Sequence, residues 1–214
     1  MNSVRGVGVI DKAVGVLRAV ATERRSLAEL QHATGLPRAT AHRMALALEQ
    51  HGFLRRDEHG RFLLGFELVA LGRAASESFP LAERARPALV ALRDRTGESV
   101  QLYVREGGAR RCVVSLESTH GLRWIVPEGS LLPLAVGSAG RALTFAPTGW
   151  IASVEEREAG VASVSAVVRG DGGDVVAAVS VSGPVERLTR DPGAKFGAAV
   201  IEAAGEIERL LRES

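Results

Sequence analysis

Cysteine is almost missing from this sequence, with Cys112 the only one. A single thiol excludes an intrachain disulfide and any multi-cysteine metal site, and it suits a reducing compartment. Lysine is nearly as scarce: of 27 basic residues only Lys12 and Lys195 are lysines, and the rest are arginines. With abundant Ala, Gly and Val, that bias points to a GC-rich bacterial coding sequence and says nothing of function. Long apolar runs are missing too, and none approaches the ~20 residues that span a bilayer. The opening MNSVRGVGVIDKAVGVL holds only short apolar pieces, cut by Asp11 and Lys12, and no small-residue cleavage site. A secretory signal is therefore not expected, and the chain is expected to stay in the cytoplasm with no membrane partner.

Catalytic signatures are lacking as well. The second half contains serines, glutamates and an isolated His120, but no G-x-S-x-G with a placed base and no histidine pair at metal spacing. Gly6-Val7-Gly8 and Gly170-Asp171-Gly172-Gly173 do not lie between a strand and a helix, so neither reads as a phosphate loop. Glu155, Glu156 and Glu158 beside Arg157 read as a solvated face. Cys112, alternating with Val114 and Leu116, reads as core. No enzyme is expected, and with it no catalytic residue, no cofactor and no metal.

What is present is the composition of an ordinary globular chain of 214 residues, 46% hydrophobic and 24% charged. That length suits two small domains better than one large one. Charge is divided unevenly between them: residues 1–77 hold 11 basic and 8 acidic residues, a balance of +3, whereas residues 78–214 hold 16 and 17, a balance of −1. His32, His42, His51 and His59 also fall in the first part.

Ile10, Ala13, Val14, Leu17 and Ala21 recur on one face of a helix from Val9 to Ala21. Ser26 with Glu29 three residues on forms a capping box for a short helix, Leu27 to Thr34, which Gly35 stops. Pro37 suits the first turn of a third helix, roughly Pro37 to Gln50, with Ala41, Met44, Ala45 and Leu48 inside and Arg38, His42, Arg43 and Glu49 outside. The period then becomes extended: Phe53–Arg56, a turn at Asp57-Glu58-His59-Gly60, and Arg61–Leu64 form a hairpin. Three helices and a hairpin make a winged helix-turn-helix over 1–65. A linker helix over 66–79 leads to Pro80, and 80–214 form a second, α/β domain with a largely antiparallel sheet. Its expected elements are a helix through Leu81, Ala85, Leu89 and Leu92 ending at Gly97, strands Ser99–Glu106 and Arg110–Glu117, an extended stretch Leu122–Val126, a helix Gly137–Phe145, a hairpin Val161–Arg169 with Asp174–Ser182, and a final helix through Phe196, Val200, Ala204, Ile207 and Leu211.

The third helix carries the functional signal. A helix N-terminus in the major groove brings short and basic side chains to base edges, while flanking basic groups hold phosphates. Arg38, Thr40, His42 and Arg43 lie on its first two turns, and Arg55, Arg56 and Arg61 lie on the hairpin, where a wing reaches the backbone or minor groove. Ser26 offers a helix N-terminus to a phosphate. Double-stranded DNA is the expected partner.

The run SLAELQHATGLPRATAHRMALALEQHGFLRRDEHGRFLLG resembles the DNA-binding domain of the IclR family of bacterial regulators, and the resemblance continues to the end of the chain. GVGVIDKAVGVL, TGESVQLYVR, EREAGVASVSA and VVAAVSVSGPVERLTR are similar to the branch controlling leucine and tryptophan biosynthesis genes. The resemblance implies a winged helix-turn-helix, a linker helix and a GAF-like α/β domain that binds a small effector and mediates oligomerisation. It also implies a homodimer or homotetramer on an inverted-repeat operator. Family effector contacts match Ser138 and Ala139 at a loop-helix start, Ser163 on one strand, and Ser180 and Ser182 on the next. Helix-start amides and hydroxyls at i and i+2 suit a carboxylate or amino-acid-related effector. Between Arg141 and Glu158 this chain departs from the family, which carries some two dozen more residues over the pocket, so that only Ala142–Arg157 connect the parts. Two further readings therefore stand beside the effector-responsive regulator: one with a ligand-insensitive sensor, and a ligand or interaction module that does not bind DNA.

Overall fold

The computed structural model describes residues 8–77 and 80–213. Residues 1–7, which open GVGVIDKAVGVL's flank and include Gly6-Val7, and residues 78 and 79, the last of the expected linker helix, lie outside the described residues. The chain divides into two compact units between residues 79 and 80.

In the first unit, α1 (Gly8–Thr22), α2 (Leu27–Thr34) and α3 (Arg38–Gln50) are followed by β1 (Leu54–Arg56), β2 (Phe62–Leu64) and α4 (Glu67–Glu77). Val16 and Val20 of α1, Leu30 of α2, and Ala45 and Leu48 of α3 close on Leu54 and Phe62 of the hairpin. Each buried Val, Leu or Phe side chain among these contributes roughly 1.5–3 kcal/mol over its exposed state. Arg25, just ahead of α2, forms an isolated bridge to the hairpin by exchanging two backbone bonds with Phe62, of 3.0 and 2.7 Å. The hairpin is thereby tied to the start of the helix-turn-helix. Gly35 takes the left-handed conformation that ends α2, and Pro37 caps α3 from one residue outside it.

The second unit holds a six-stranded antiparallel sheet in the order β5-β4-β3-β8-β7-β6. Its strands are β3 (Ser99–Glu106), β4 (Ala109–Leu116), β5 (Leu131–Pro133), β6 (Trp150–Val154), β7 (Val161–Arg169) and β8 (Val175–Pro184). The helices α5 (Leu81–Thr96) and α8 (Pro192–Arg212) cover one face, α6 (Ser138–Phe145) covers the other, and α7 (Val185–Leu188) follows β8. Strand alternation divides the sheet: Val100 and Leu102, Ala162, Val164 and Ala166, and Val179 and Val181 point to α5 and α8, whereas Tyr103, Val167 and Ala178 pack with Ala139, Ala142 and Leu143 of α6.

Three expectations change. Leu122–Val126, expected as an extended stretch, forms no strand; the outer neighbour of β4 is Leu131–Pro133, where Arg110 lies opposite Leu132. Ala142–Arg157, expected to carry only the end of the helix and a bare connection, holds the second half of α6 and the edge strand β6, which pairs with β7 from Trp150↔Ala166 to Val154↔Ala162. The last helix begins at Pro192, capped by the Asp191 carboxylate, four residues before Phe196. Trp150 explains how so short a segment holds its place. Its indole lies against α8 at Gly193 and Gly197, where an added Cβ would meet the ring at 2.1 and 2.4 Å. No other residue leaves room for that contact.

Candidate DNA-binding surface and ligand pocket

On α3, Ala41 and Ala45 are fully buried while Arg38, His42 and Arg43 are exposed and Thr40 is half-buried. The residues that hold the helix are thus separate from those it displays. Arg38, His42 and Arg43 make no side-chain hydrogen bond or ion pair among the described residues. Arg38, Ala39 and His42 share a shallow groove with Leu27, the first residue of α2, so the N-termini of both helices open onto one surface. Ser26 differs from expectation in what it has left to give. Its N–H donates to Glu29 Oε2 at 2.7 Å and its hydroxyl to the same oxygen at 2.8 Å, while Glu29 N donates back to Ser26 Oγ at 3.3 Å. Those bonds hold the Glu29 carboxyl below its usual pKa. Ser26 is the cap, and the unbonded first-turn amides of α2 begin at Leu27.

The hairpin arginines separate in a similar way. Arg56 donates Nε to Glu49 at 3.0 Å and lies over Phe62 at 4.3 Å from the ring centre, and Arg61 donates Nε to Asp57 at 3.0 Å. Asp57 organises the turn: its Oδ1 accepts from the backbones of His59 and Arg61 at 3.0 and 2.9 Å, and these bonds, led by Arg61 N, lower its pKa. Arg55 rests over Phe66 at 5.0 Å and forms no ion pair among the described residues. Of the three, Arg55 is the one whose charge is not already matched by a carboxylate of this chain.

In the second unit the expected effector residues converge. Cross-strand register sets Ser163 opposite Ser182 and Ser165 opposite Ser180. Ser138, the first residue of α6, shares hydrogen bonds of 2.7 Å with the hydroxyls of Ser163 and Ser165. Ser182 donates to Gln101 Oε1 at 2.8 Å. Ser138, Ala139, Ser163, Ser180 and Ser182 all line one cavity of about 30 Å³, a space on the scale of one or two water molecules. A larger ligand enters only as side chains withdraw.

Sequence reading missed the other half of this cavity: Tyr103, Arg110, Trp124, Ser153 and Arg157. Arg110 is 3% exposed. Its Nη1 donates to the carbonyls of Pro133 and of Val136, the latter at 2.9 Å, and its guanidinium lies over Tyr103 at 5.3 Å from the ring centre. Among the described residues Nε of Arg110 has no hydrogen-bond partner, and neither has Nε2 of buried Gln101. Burial pushes the Arg110 pKa down and that of Tyr103 well above its usual value, and lifts the Cys112 thiol to about 12, which leaves Cys112 a packed, unreactive thiol. The start of α6 depends on glycine at two places. Gly137 has φ +81°, and a Cβ on Gly140 would lie 2.2 Å from Leu134 O and 2.4 Å from Arg110 Nη1. Gly137 N donates to Glu156 at 3.1 Å, and Glu156 in turn pairs with Arg141 at 3.0 Å.

The comparisons with known proteins agree with this division. Residues 9–58 match the IclR helix-turn-helix domain, and residues 73–148 and 144–209 match the bacterial transcriptional regulator IclR C-terminal domain, the two stretches meeting where α6 gives way to β6. The chain is 27% identical to the transcriptional repressor IclR of Escherichia coli K12, over 85% of this chain and 81% of the repressor. It has the same identity and coverage, 27%, 85% and 81%, with the acetate operon repressor of Salmonella typhimurium LT2. An IclR homologue from Microbacterium hydrocarbonoxydans, solved with 4-hydroxybenzoate, shares the fold at a TM-score of 0.81 and 22% identity, covering 96% of this chain and all (100%) of the other. Among the described residues no helix is long and apolar enough to cross a membrane. With both family domains matched along most of its length, the chain belongs to the IclR family of DNA-binding transcriptional regulators, which pair a helix-turn-helix with an effector-binding domain.

Proposed function

We propose that this regulator acts in the cytoplasm as a homodimer or homotetramer on an inverted-repeat operator, reading bases with α3 and phosphates with the hairpin. A small carboxylate, held at the start of α6 and by Ser163, Ser180 and Ser182, modulates that binding. The observation that carries the DNA assignment is the display of Arg38, His42 and Arg43 on a helix whose opposite face is fully committed to the core. Exposed Val9 and Ile10 on α1, with Phe66 and Val69 at α4, leave apolar surface of the kind that a second copy covers. Amino-acid biosynthesis genes are the proposed targets on the strength of the branch-like motifs, whereas one relative is named for an acetate operon. Genome-wide binding decides between them.

Titration of the purified chain against its own promoter duplex and a random duplex tests the assignment. Affinity falls steeply and linearly with salt on a double-logarithmic plot, because phosphate contacts release counterions. Arg43→Ala narrows the preference for promoter over random sequence by roughly 1–3 kcal/mol, while Arg55→Ala weakens both alike. Absence of a salt slope and of any promoter preference would turn the reading toward a ligand or interaction module.

A second reading, a sensor that no longer responds to ligand, draws on the small cavity volume. Operator affinity that stays constant across a panel of small acids, in wild type and in Ser180→Ala/Ser182→Ala alike, supports it.

A further inference from the structure

The cavity beneath α6 is bordered by two guanidiniums, Arg110 and Arg157, and by no buried carboxylate among its lining residues. Arg110 is buried and comes from β4; Arg157 comes from the short β6–β7 connection and stacks over Trp124 at 4.9 Å from the ring centre. Among the described residues neither forms an ion pair. Two half-buried arginines of this unit are by contrast matched by carboxylates: Arg187 grips buried Glu98 through bonds of 2.6 and 2.8 Å, and Arg141 holds Glu156. Arg157 also lies near enough for its charge to disfavour that of Arg110. Two like charges held across a cavity, one of them almost wholly removed from water, form an arrangement that an anion relieves and a cation worsens.

The remaining surroundings have the same bias. The Ser180 hydroxyl and the first-turn amides of α6 are donors at the cavity, the hydroxyls of Ser138, Ser163 and Ser182 already take part in hydrogen bonds, and among the described residues Nε of Arg110 is a buried donor with no acceptor. The one acidic side chain lining the cavity is Glu158, which is exposed. Glu156 is occupied at Gly137 N and Arg141, outside the lining. An ammonium group entering here meets two guanidiniums and no buried carboxylate to receive it.

We propose that Arg110 and Arg157 determine the effector class: a small carboxylate lacking an ammonium group, its oxygens bridging the two guanidiniums. This rests on the assignment of the cavity as the effector site and narrows it, excluding free amino acids. Arg157 plays the part of a lid residue. It sits on the connection that replaces the longer family segment, is only half-buried, and swings from the Trp124 face onto the ligand without disturbing the sheet. Arg110 is the fixed partner, because its Nη1 bonds anchor the loop that leads into α6.

Calorimetric titration of the full-length protein with matched pairs tests this: propionate with alanine, succinate with aspartate, phenylacetate with phenylglycine. Each carboxylate is expected to bind at least tenfold tighter than its amino counterpart. Arg157→Gln lowers carboxylate affinity about tenfold or more, the scale of one charge-assisted hydrogen bond, and shrinks the gap within each pair while leaving the melting temperature unchanged. Arg110→Lys, which keeps the charge without the fork, weakens binding less than Arg110→Gln, and Arg157→Gln keeps the test open if either Arg110 variant fails to fold. Amino acids that bind as tightly as the parent acids, in a manner abolished by Ser180→Ala/Ser182→Ala, overturn the arginine assignment but leave the effector site standing. Unchanged carboxylate affinity in Arg157→Gln also overturns it. Absence of heat from every compound in wild type overturns the effector site and this inference together.

Discussion

On the side of the six-stranded sheet that faces α5 and α8, the central strands present Leu102, Val164, Val179 and Val181, all fully buried. On the side that faces α6, the same strands present Gln101, Ser163, Ser165, Ser180 and Ser182, with Ser138 reaching down to meet them. One residue of displacement along a strand separates the two sets. The apolar side supplies the attraction that holds the sheet to its helices, and the polar side keeps buried donors whose hydrogen bonds are only partly satisfied. If the cavity is the effector site proposed above, stability and recognition fall on opposite faces of one sheet, and substitutions on the two faces should part company accordingly.

The largest effect is expected on the apolar side. Leu102→Ala, buried at 0% exposure, should lower the unfolding free energy in urea by roughly 2–5 kcal/mol while the protein that remains folded binds carboxylates as wild type does. A loss of affinity matching the loss of stability would break the separation of faces. Next comes Gly140→Ala, at the seam between α6 and its loop. The added methyl collides with Leu134 O and the Arg110 guanidinium, so a destabilisation of about 1–3 kcal/mol should accompany at least a tenfold loss of ligand affinity by calorimetry. The smallest change in stability belongs to the polar side. Ser180→Ala/Ser182→Ala gives up the bond to Gln101, worth about 1 kcal/mol, yet should abolish the effector's influence on operator binding in a gel-shift titration. If the double variant unfolds as readily as Leu102→Ala, the serines are structural.

The first unit shows a similar partition within a single helix, and there it was legible in the chain. Ser26 with Glu29, Gly35, Pro37 and the 3.6-residue spacing of Ala41, Ala45 and Leu48 are all local signals, and together they locate α2 and α3 within a residue of their observed ends. The exchange of bonds between Arg25 and Phe62 joins residues far apart in sequence and leaves no such trace, and the pairing of Arg56 with Glu49 crosses from a helix to a strand, where neither period predicts it. Strands β5 and β6 went unread for a related reason. Leu131–Pro133 is three residues ending in proline, and Trp150–Val154 gains its identity from lying beside β7 and from the seat that Gly193 and Gly197 offer Trp150. The serines of the pocket were accessible through resemblance. Arg110 was not, since a basic residue at the start of an alternating strand reads as exposed until the loop before α6 folds over it. Ser163-x-Ser165, Ser180-x-Ser182 and Ser99-x-Gln101, polar pairs at period two on strands otherwise rich in Val and Ala, were the available clue.

The chain has two tryptophans, and the fold gives them different work. Trp150 is wedged against the glycines of α8, away from the cavity, while Trp124 forms part of the cavity wall beneath the Arg157 guanidinium. The molecule therefore carries a built-in optical gauge with its own reference. On the movement proposed for Arg157, the emission of Trp124 should change with ligand while that of Trp150, which is outside the cavity lining, should not. Occupancy of the sensor can be followed by light in the unlabelled protein, on operator DNA or off it.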